Sequence, residues 1–238
     1  MTDKEQAYGQ RARVRRRRAL SFWSSDWSLT VLLWLLVGNI FALPLSHFRP
    51  WGRLVARAVL SLIIISGVLA TARNRRFVAV TTIFILVFLF MGWEGVQRPT
   101  PYLDVLNDVG ALLFLGFFVV LMLRQVLRAG SITWHRVEGA IAVYLLMGLL
   151  WAFAYDIVEL LQPGSFSLKT QSSDGALPQL GYFSLTTLTT LGFGDILPVS
   201  PLARSLAMLE GLVGQLFPVI LIARLVAMEL EYQRTRKQ

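Results

Sequence analysis

The chain has 238 residues, of which 55% are hydrophobic, 12% aromatic and only 16% charged, a balance that excludes an ordinary water-soluble domain. Its formal net charge is +9, but Lys4, Arg11, Arg13 and Arg15 to Arg18 supply most of it in one short run, so the charge points to anionic lipid and not to nucleic acid. Cysteine is absent, which removes disulfides and thiolate metal sites.

Residues 1–27 read as a basic cytoplasmic tail followed by an interfacial segment, with Phe22, Trp23 and Trp27 suited to the headgroup level. A basic start before an apolar run resembles a secretory signal, but "VLLWLLVGNIFALPL" runs past the usual length and lacks a small-x-small cleavage site, so it reads as an uncleaved anchor. A hydrocarbon core of about 30 Å takes roughly 20 apolar residues per helix. Stretches of that kind fall at 28–46, 54–71, 77–93, 106–124, 138–161 and 202–229, which predicts an all-α membrane protein with six transmembrane helices. The basic tail, "RNRR" at 73–76, the linker from Arg124 to Arg136 and the closing "RTRK" share one side if six spans alternate, which places both termini in the cytoplasm of a multi-pass plasma-membrane protein, in bacteria the inner membrane. Residues 28–128 then form a four-helix transmembrane domain, 129–137 a linker, 138–230 a second domain and 231–238 a short cytoplasmic tail.

Between the fifth and sixth spans, "QPGSFSLKTQSSDGA" is polar and turn-rich, whereas "LPQLGYFSLTTLTTLGFGDILPVSP" is unusually apolar for a loop. Pro178 followed by about 12 residues without a breaker predicts a helix of roughly 18 Å, half a bilayer. Such a helix is re-entrant, and non-helical backbone at membrane depth is tolerated only where protein covers it or it lines a wet pathway. In Thr190-Leu191-Gly192-Phe193-Gly194 the two glycines admit backbone angles closed to other residues, so consecutive carbonyls can turn toward one axis and replace a cation's water shell. One chain supplies one oxygen per level, so the chemistry requires several copies around a shared axis. The threonine adds a hydroxyl oxygen, and the short helix aims its negative dipole end at the cation.

"TTLTTLGFGD" resembles the selectivity filter of the tetrameric potassium channels, whose consensus runs Thr-Val-Gly-Tyr-Gly-Asp. "GYFSLTTLTT" resembles that family's pore helix, with Tyr182 and Phe183 at the positions of its aromatic cuff; "EGAIAVYLLMGLLWAFAYDIVEL" resembles the outer helix, and "DILPVSPLARSLAMLEGLVGQLFPVILIARLV" the exit loop and inner helix. The likeness covers roughly 138–230 and implies a pore domain there, in the six-transmembrane type with one pore loop per chain and a bacterial two-helix pore. It implies a homotetramer that conducts K+ passively, binds it at Thr190, Leu191, Gly192 and Phe193, with Gly194 completing the filter, and keeps Asp195 at the outer mouth. Two positions depart from the consensus: Leu191 stands for Val or Ile, and Phe193 for Tyr. A weakly selective or non-selective cation channel is the alternative.

Gly214 fits either an inner-helix hinge or close helix packing, and Pro218 one turn on removes a helical hydrogen bond. Ile222 and Val226, four apart, would narrow the cytoplasmic mouth as an apolar gate, or face lipid. Glu210 is an acid inside an apolar span, where a partner is expected; a structural bond behind the filter is the first reading and proton sensing the second. A voltage-gated channel needs basic residues at three-residue spacing along span four, but "NDVGALLFLGFFVVLMLRQVL" has none before Arg124, so that reading survives only with an atypical sensor. Asp104 and Asp108 on span four would either pair with Arg53 and Arg57 on span two or be solvated at the interface. His47 and His135 stand alone, and no nucleophilic triad, metal-spaced cluster or phosphate loop appears, which leaves no enzyme chemistry and no cofactor beyond the transported K+. The partners expected are further copies of the chain and the bilayer, anionic at the basic tail.

Overall fold

A computed structural model describes residues 30, 32–38, 101–127, 134–168 and 176–236. The tail, the second and third expected spans, most of the first, and the Arg53 and Arg57 partners lie outside the described residues. From residue 101 on, three long helices and one short one follow one another: α1 (Pro101–Val126), α2 (Trp134–Leu161), the short α3 (Leu177–Leu188) and α4 (Pro201–Arg236). The described residues are helical or irregular, with one isolated antiparallel bridge between Phe166 and Pro198. Three of the helices are long and apolar enough to cross a membrane, over Tyr102–Arg124, Arg136–Leu161 and Pro201–Leu230.

These three are the fourth, fifth and sixth expected spans, each extended beyond its apolar run. An apolar stretch marks only the part of a helix that suits hydrocarbon, whereas backbone hydrogen bonding continues into polar ends. α1 carries Asp104 in its first turn and Arg124 in its last, charges that complement the helix dipole at both ends. Ala111, Leu115, Phe118 and Met122 are buried along one stripe of α1, at the three-to-four-residue spacing of a helix face. Leu113, Phe117 and Val120 on the other side remain exposed.

The buried stripe of α1 packs on Ala142, Val143, Leu146, Leu149 and Phe153 of α2, and the helical residues 32–38 join the same cluster through Leu32 and Leu36. Thr30 Oγ1 donates to Glu138 Oε2 at 2.9 Å, tying that segment to the start of α2. α2 is therefore central, with α1 on one face and α3 and α4 on the other. In lipid, apolar surface gives no drive for helices to associate, so contact depends on close packing and interhelical hydrogen bonds. α2 and α3 use both. Gly148 opens the space that Leu185 fills, since a Cβ there would lie 2.8 Å from Leu185 Cδ2. Tyr155, Phe166 and Phe183 meet edge to face with centroids 5.2 to 5.4 Å apart, the geometry favoured by ring quadrupoles.

α4 is different. Ala203, Glu210 and Gly214 are buried along one line, but Leu202, Met208, Leu209, Leu212, Leu216, Val219 and Ile220 are exposed. Among the described residues, α4 is covered on one side only, and its other apolar faces stand exposed.

Candidate functional site

The short helix expected after Pro178 is α3: 12 residues, with the proline in its first positions. Its fixed φ and missing N–H fit a place where the donor has no intrahelical partner. At the other end Thr189 N bonds Leu185 O at 3.1 Å and Thr190 N bonds Thr187 O at 2.9 Å, so the helix tightens and stops. The stop coincides with a change of backbone hand. Thr190 has φ 60°, Gly192 φ 52° and Gly194 φ 76°, while Leu191 and Phe193 between them keep ordinary negative φ. In a strand, successive carbonyls point to opposite sides; alternating left- and right-handed residues reverses every second peptide and brings them to one side. The pattern spans all five residues of the expected filter.

Glycine adopts positive φ freely, but a β-branched residue does not, and strain of about 1–3 kcal/mol at Thr190 persists only where its surroundings hold it. Two bonds do so. One is the Thr190 N–H to Thr187 O; the other runs from Gln215 Nε2 of α4 to Thr190 Oγ1 at 3.0 Å. Gly192 N reaches back to Thr186 O at 3.1 Å, folding the segment against the end of α3.

Behind this segment lies a shell of hydrogen bonds. Tyr144 of α2 donates its hydroxyl to Leu188 O at 2.9 Å, satisfying one of the carbonyls that a helix C-terminus leaves open. Glu210 of α4 is fully buried; it accepts the Tyr155 hydroxyl of α2 and lies 2.5 Å from Ser184 Oγ of α3. Ser184 Oγ also stands 2.7 Å from Gly148 O. The expected partners of the intramembrane acid are thus two hydroxyls, one from each neighbouring helix. Tyr144→Phe removes the donor to Leu188 O while keeping the ring on Phe217. It should cost about 1–2 kcal/mol, read as a fall of a few degrees in the unfolding midpoint of detergent-solubilised protein; an unchanged midpoint would show that the bond is dispensable.

Asp195 is exposed beyond Gly194, with Tyr182 OH 3.4 Å from its Oδ1. The Tyr182 and Phe193 rings stack at 6.4 Å with 7° between planes. Leu191 and Phe193 are 63% and 66% exposed, so the side chains flanking the carbonyls are uncovered by their own chain. The return path is braced from the loop after α2: Ser167 N donates to Leu197 O at 2.9 Å and Val199 N to Ser165 O at 2.7 Å. Glu159 accepts from the Gly164 and Phe166 amides, holding that loop in shape.

Gly214 abuts the end of α3 so closely that a Cβ would lie 2.0 Å from Leu188 O, which gives its close-packing role a physical basis. Pro218 lies inside α4, and Ile222 and Val226 stand on its exposed surface. Tyr144, Tyr155, Ser184 and Gln215 were not singled out from sequence. A signal existed: Tyr144, Gly148 and Tyr155 are four and seven residues apart on α2, one stripe carrying two hydroxyls and a gap.

Residues 140–230 match a family described as an ion channel. Over 78 residues the chain is 36% identical to the inward rectifier potassium channel Kirbac3.1 of Paramagnetospirillum magnetotacticum, a stretch covering 31% of this chain and 23% of that relative. No solved structure matches the chain. The two matches point to a potassium-channel family for this part of the chain.

Proposed function

We propose that the chain assembles as a homotetramer and conducts K+ passively through a filter built from Thr190, Leu191, Gly192, Phe193 and Gly194. The observation that carries this reading is the alternation of backbone hand at Thr190, Gly192 and Gly194 directly after α3. Four copies around one axis would stack carbonyl rings at successive levels, with the Thr190 hydroxyl closing the inner end. α3 would be re-entrant, its C-terminal dipole end directed at the ion. Asp195 would concentrate cations at the outer mouth, and the exposed flanks of α4, Leu191 and Phe193 would meet neighbouring copies. Pro218, with Gly214 in its close contact, would shape the inner helix above a constriction at Ile222 and Val226. In this reading six spans place both termini in the cytoplasm, and the basic tail lies on anionic lipid.

The test is K+ flux from a gradient in liposomes holding the purified chain. Flux blocked by Ba2+ and absent for Na+ is expected. Gly192→Ala should abolish it, because a Cβ at φ 52° costs about 1–2 kcal/mol and turns the peptide away. Equal Na+ and K+ flux would instead establish a non-selective cation channel.

A further inference from the structure

Gln215 is the only polar residue between Glu210 and Arg224 of α4, inside a stretch apolar enough to cross a membrane. An exposed primary amide is costly against hydrocarbon and suits a water-filled lumen. Its position follows from its neighbour. Because Gly214 lets the α4 backbone touch Leu188, the next side chain arrives at the inner end of the 190–194 segment, where Nε2 donates to Thr190 Oγ1 at 3.0 Å. Both side chains are exposed, so the pair stands open on the face that carries the segment.

The threonine oxygen has two lone pairs; the amide N–H occupies one and leaves the other for a cation. The glutamine also keeps its carbonyl oxygen, chemically the same ligand as the backbone carbonyls above it. A threonine side chain free to rotate would present its hydroxyl only part of the time, whereas a pinned one presents it continuously.

We propose that Gln215 and Thr190 together form a further cation subsite at the inner mouth, the amide fixing the threonine hydroxyl and its carbonyl oxygen taking the incoming, partly hydrated monovalent cation. The proposal rests on the potassium-conducting reading of residues 190–194. It makes Gln215 a ligand in its own right and not only a brace.

Single-channel recordings of the full chain in planar bilayers test it, with Ba2+ on the inner side as the probe, since a divalent ion of similar size to K+ occupies the same oxygens more tightly. Gln215→Leu should raise the half-blocking Ba2+ concentration about tenfold, the equivalent of one lost hydrogen-bonding partner, and shift the K+/Na+ reversal potential toward non-selectivity. Its elution volume should match the wild type, and its unfolding midpoint should fall by no more than the few degrees expected of one lost hydrogen bond. Thr190→Val should weaken block similarly, and Gln215→Leu added to it should weaken block again, by less than the product of the two, because the amide oxygen remains a ligand after the hydroxyl is gone. Block unchanged in Gln215→Leu, or no further loss when Gln215→Leu is added to Thr190→Val, overturns the subsite. A wild type that passes no K+ at all overturns the parent reading instead, a result distinct from a conducting wild type whose block ignores Gln215.

Discussion

Gly214→Ala should lower the unfolding midpoint and abolish K+ flux, the largest effect expected of adding one methyl group anywhere in the described chain. The added Cβ would lie 2.0 Å from Leu188 O, 2.8 Å from Leu188 C and 3.1 Å from Leu188 Cα. All three are backbone atoms, so no rotamer change relieves the clash; α3 and α4 must part by about 1.5 Å to reach ordinary contact. Overpacking of this kind costs about 1–3 kcal/mol, and the displacement is aimed at the worst place. Leu188 O is the acceptor of Tyr144, Gln215 holds Thr190 from the next position, and Glu210 reaches Ser184 one turn earlier. The Gln215 and Glu210 bonds cross the gap that would open, and the Tyr144 bond ends on the carbonyl that would be pushed aside. Gly211→Ala is the control: among the described residues nothing lies within 4 Å of a Cβ there, and alanine exceeds glycine in helix propensity by about 1 kcal/mol. It should be neutral or stabilising. A hinge role for Gly214 makes another forecast, a normal midpoint with fewer openings, so calorimetry and flux together decide between hinge and packing.

The contrast between Gly214 and its sequence context shows where the residues alone stop speaking. Apolar runs located α1, α2 and α4 because hydrocarbon demands length and composition and little else. Pro178 and the breaker-free stretch after it located α3, since a proline start and a glycine-rich stop are local signals. The glycines at 192 and 194 announced an unusual backbone for the same reason. Thr190 did not: a β-branched residue argues against positive φ, and only the bonds to Thr187 and Gln215 explain how it is held there. Those bonds join residues on different elements, and one sequence contains no term for which helix faces meet. Tyr144 and Leu188 are 44 positions apart, Tyr155 and Glu210 are 55. Glu210 could be recognised as an acid needing a partner, because an unpaired carboxyl in an apolar span is expensive on any fold, but the identity of that partner required the packing of three helices.

That partnership sets the second large effect. Glu210→Leu should destabilise the α2, α3 and α4 assembly by about 1–3 kcal/mol, whereas Glu210→Gln should stay close to the wild type. The carboxyl is fully buried, as are Tyr155 and Ser184, so leucine leaves the Tyr155 hydroxyl with neither partner nor water, while Ser184 keeps Gly148 O as its acceptor. Glutamine keeps an oxygen to accept from Tyr155 and offers N–H to Ser184 Oγ, which then passes its own proton to Gly148 O, 2.7 Å away. Glu210→Asp, one methylene shorter, should reach one hydroxyl but not both and fall between the two. Adding Tyr155→Phe to Glu210→Leu should recover part of the loss, because removing both members of a buried pair leaves fewer orphans than removing one. Thermal unfolding of the detergent-solubilised chain orders the four variants, and K+ flux shows whether the order carries to the filter. A leucine variant as stable as the wild type would mean that the Tyr155 hydroxyl finds another acceptor. A glutamine variant as damaged as leucine would mean that the site needs the carboxyl's chemistry and not its hydrogen-bonding shape, and the reading of Glu210 as a fastener of α4 to α2 and α3 would have to give way to one in which its proton matters.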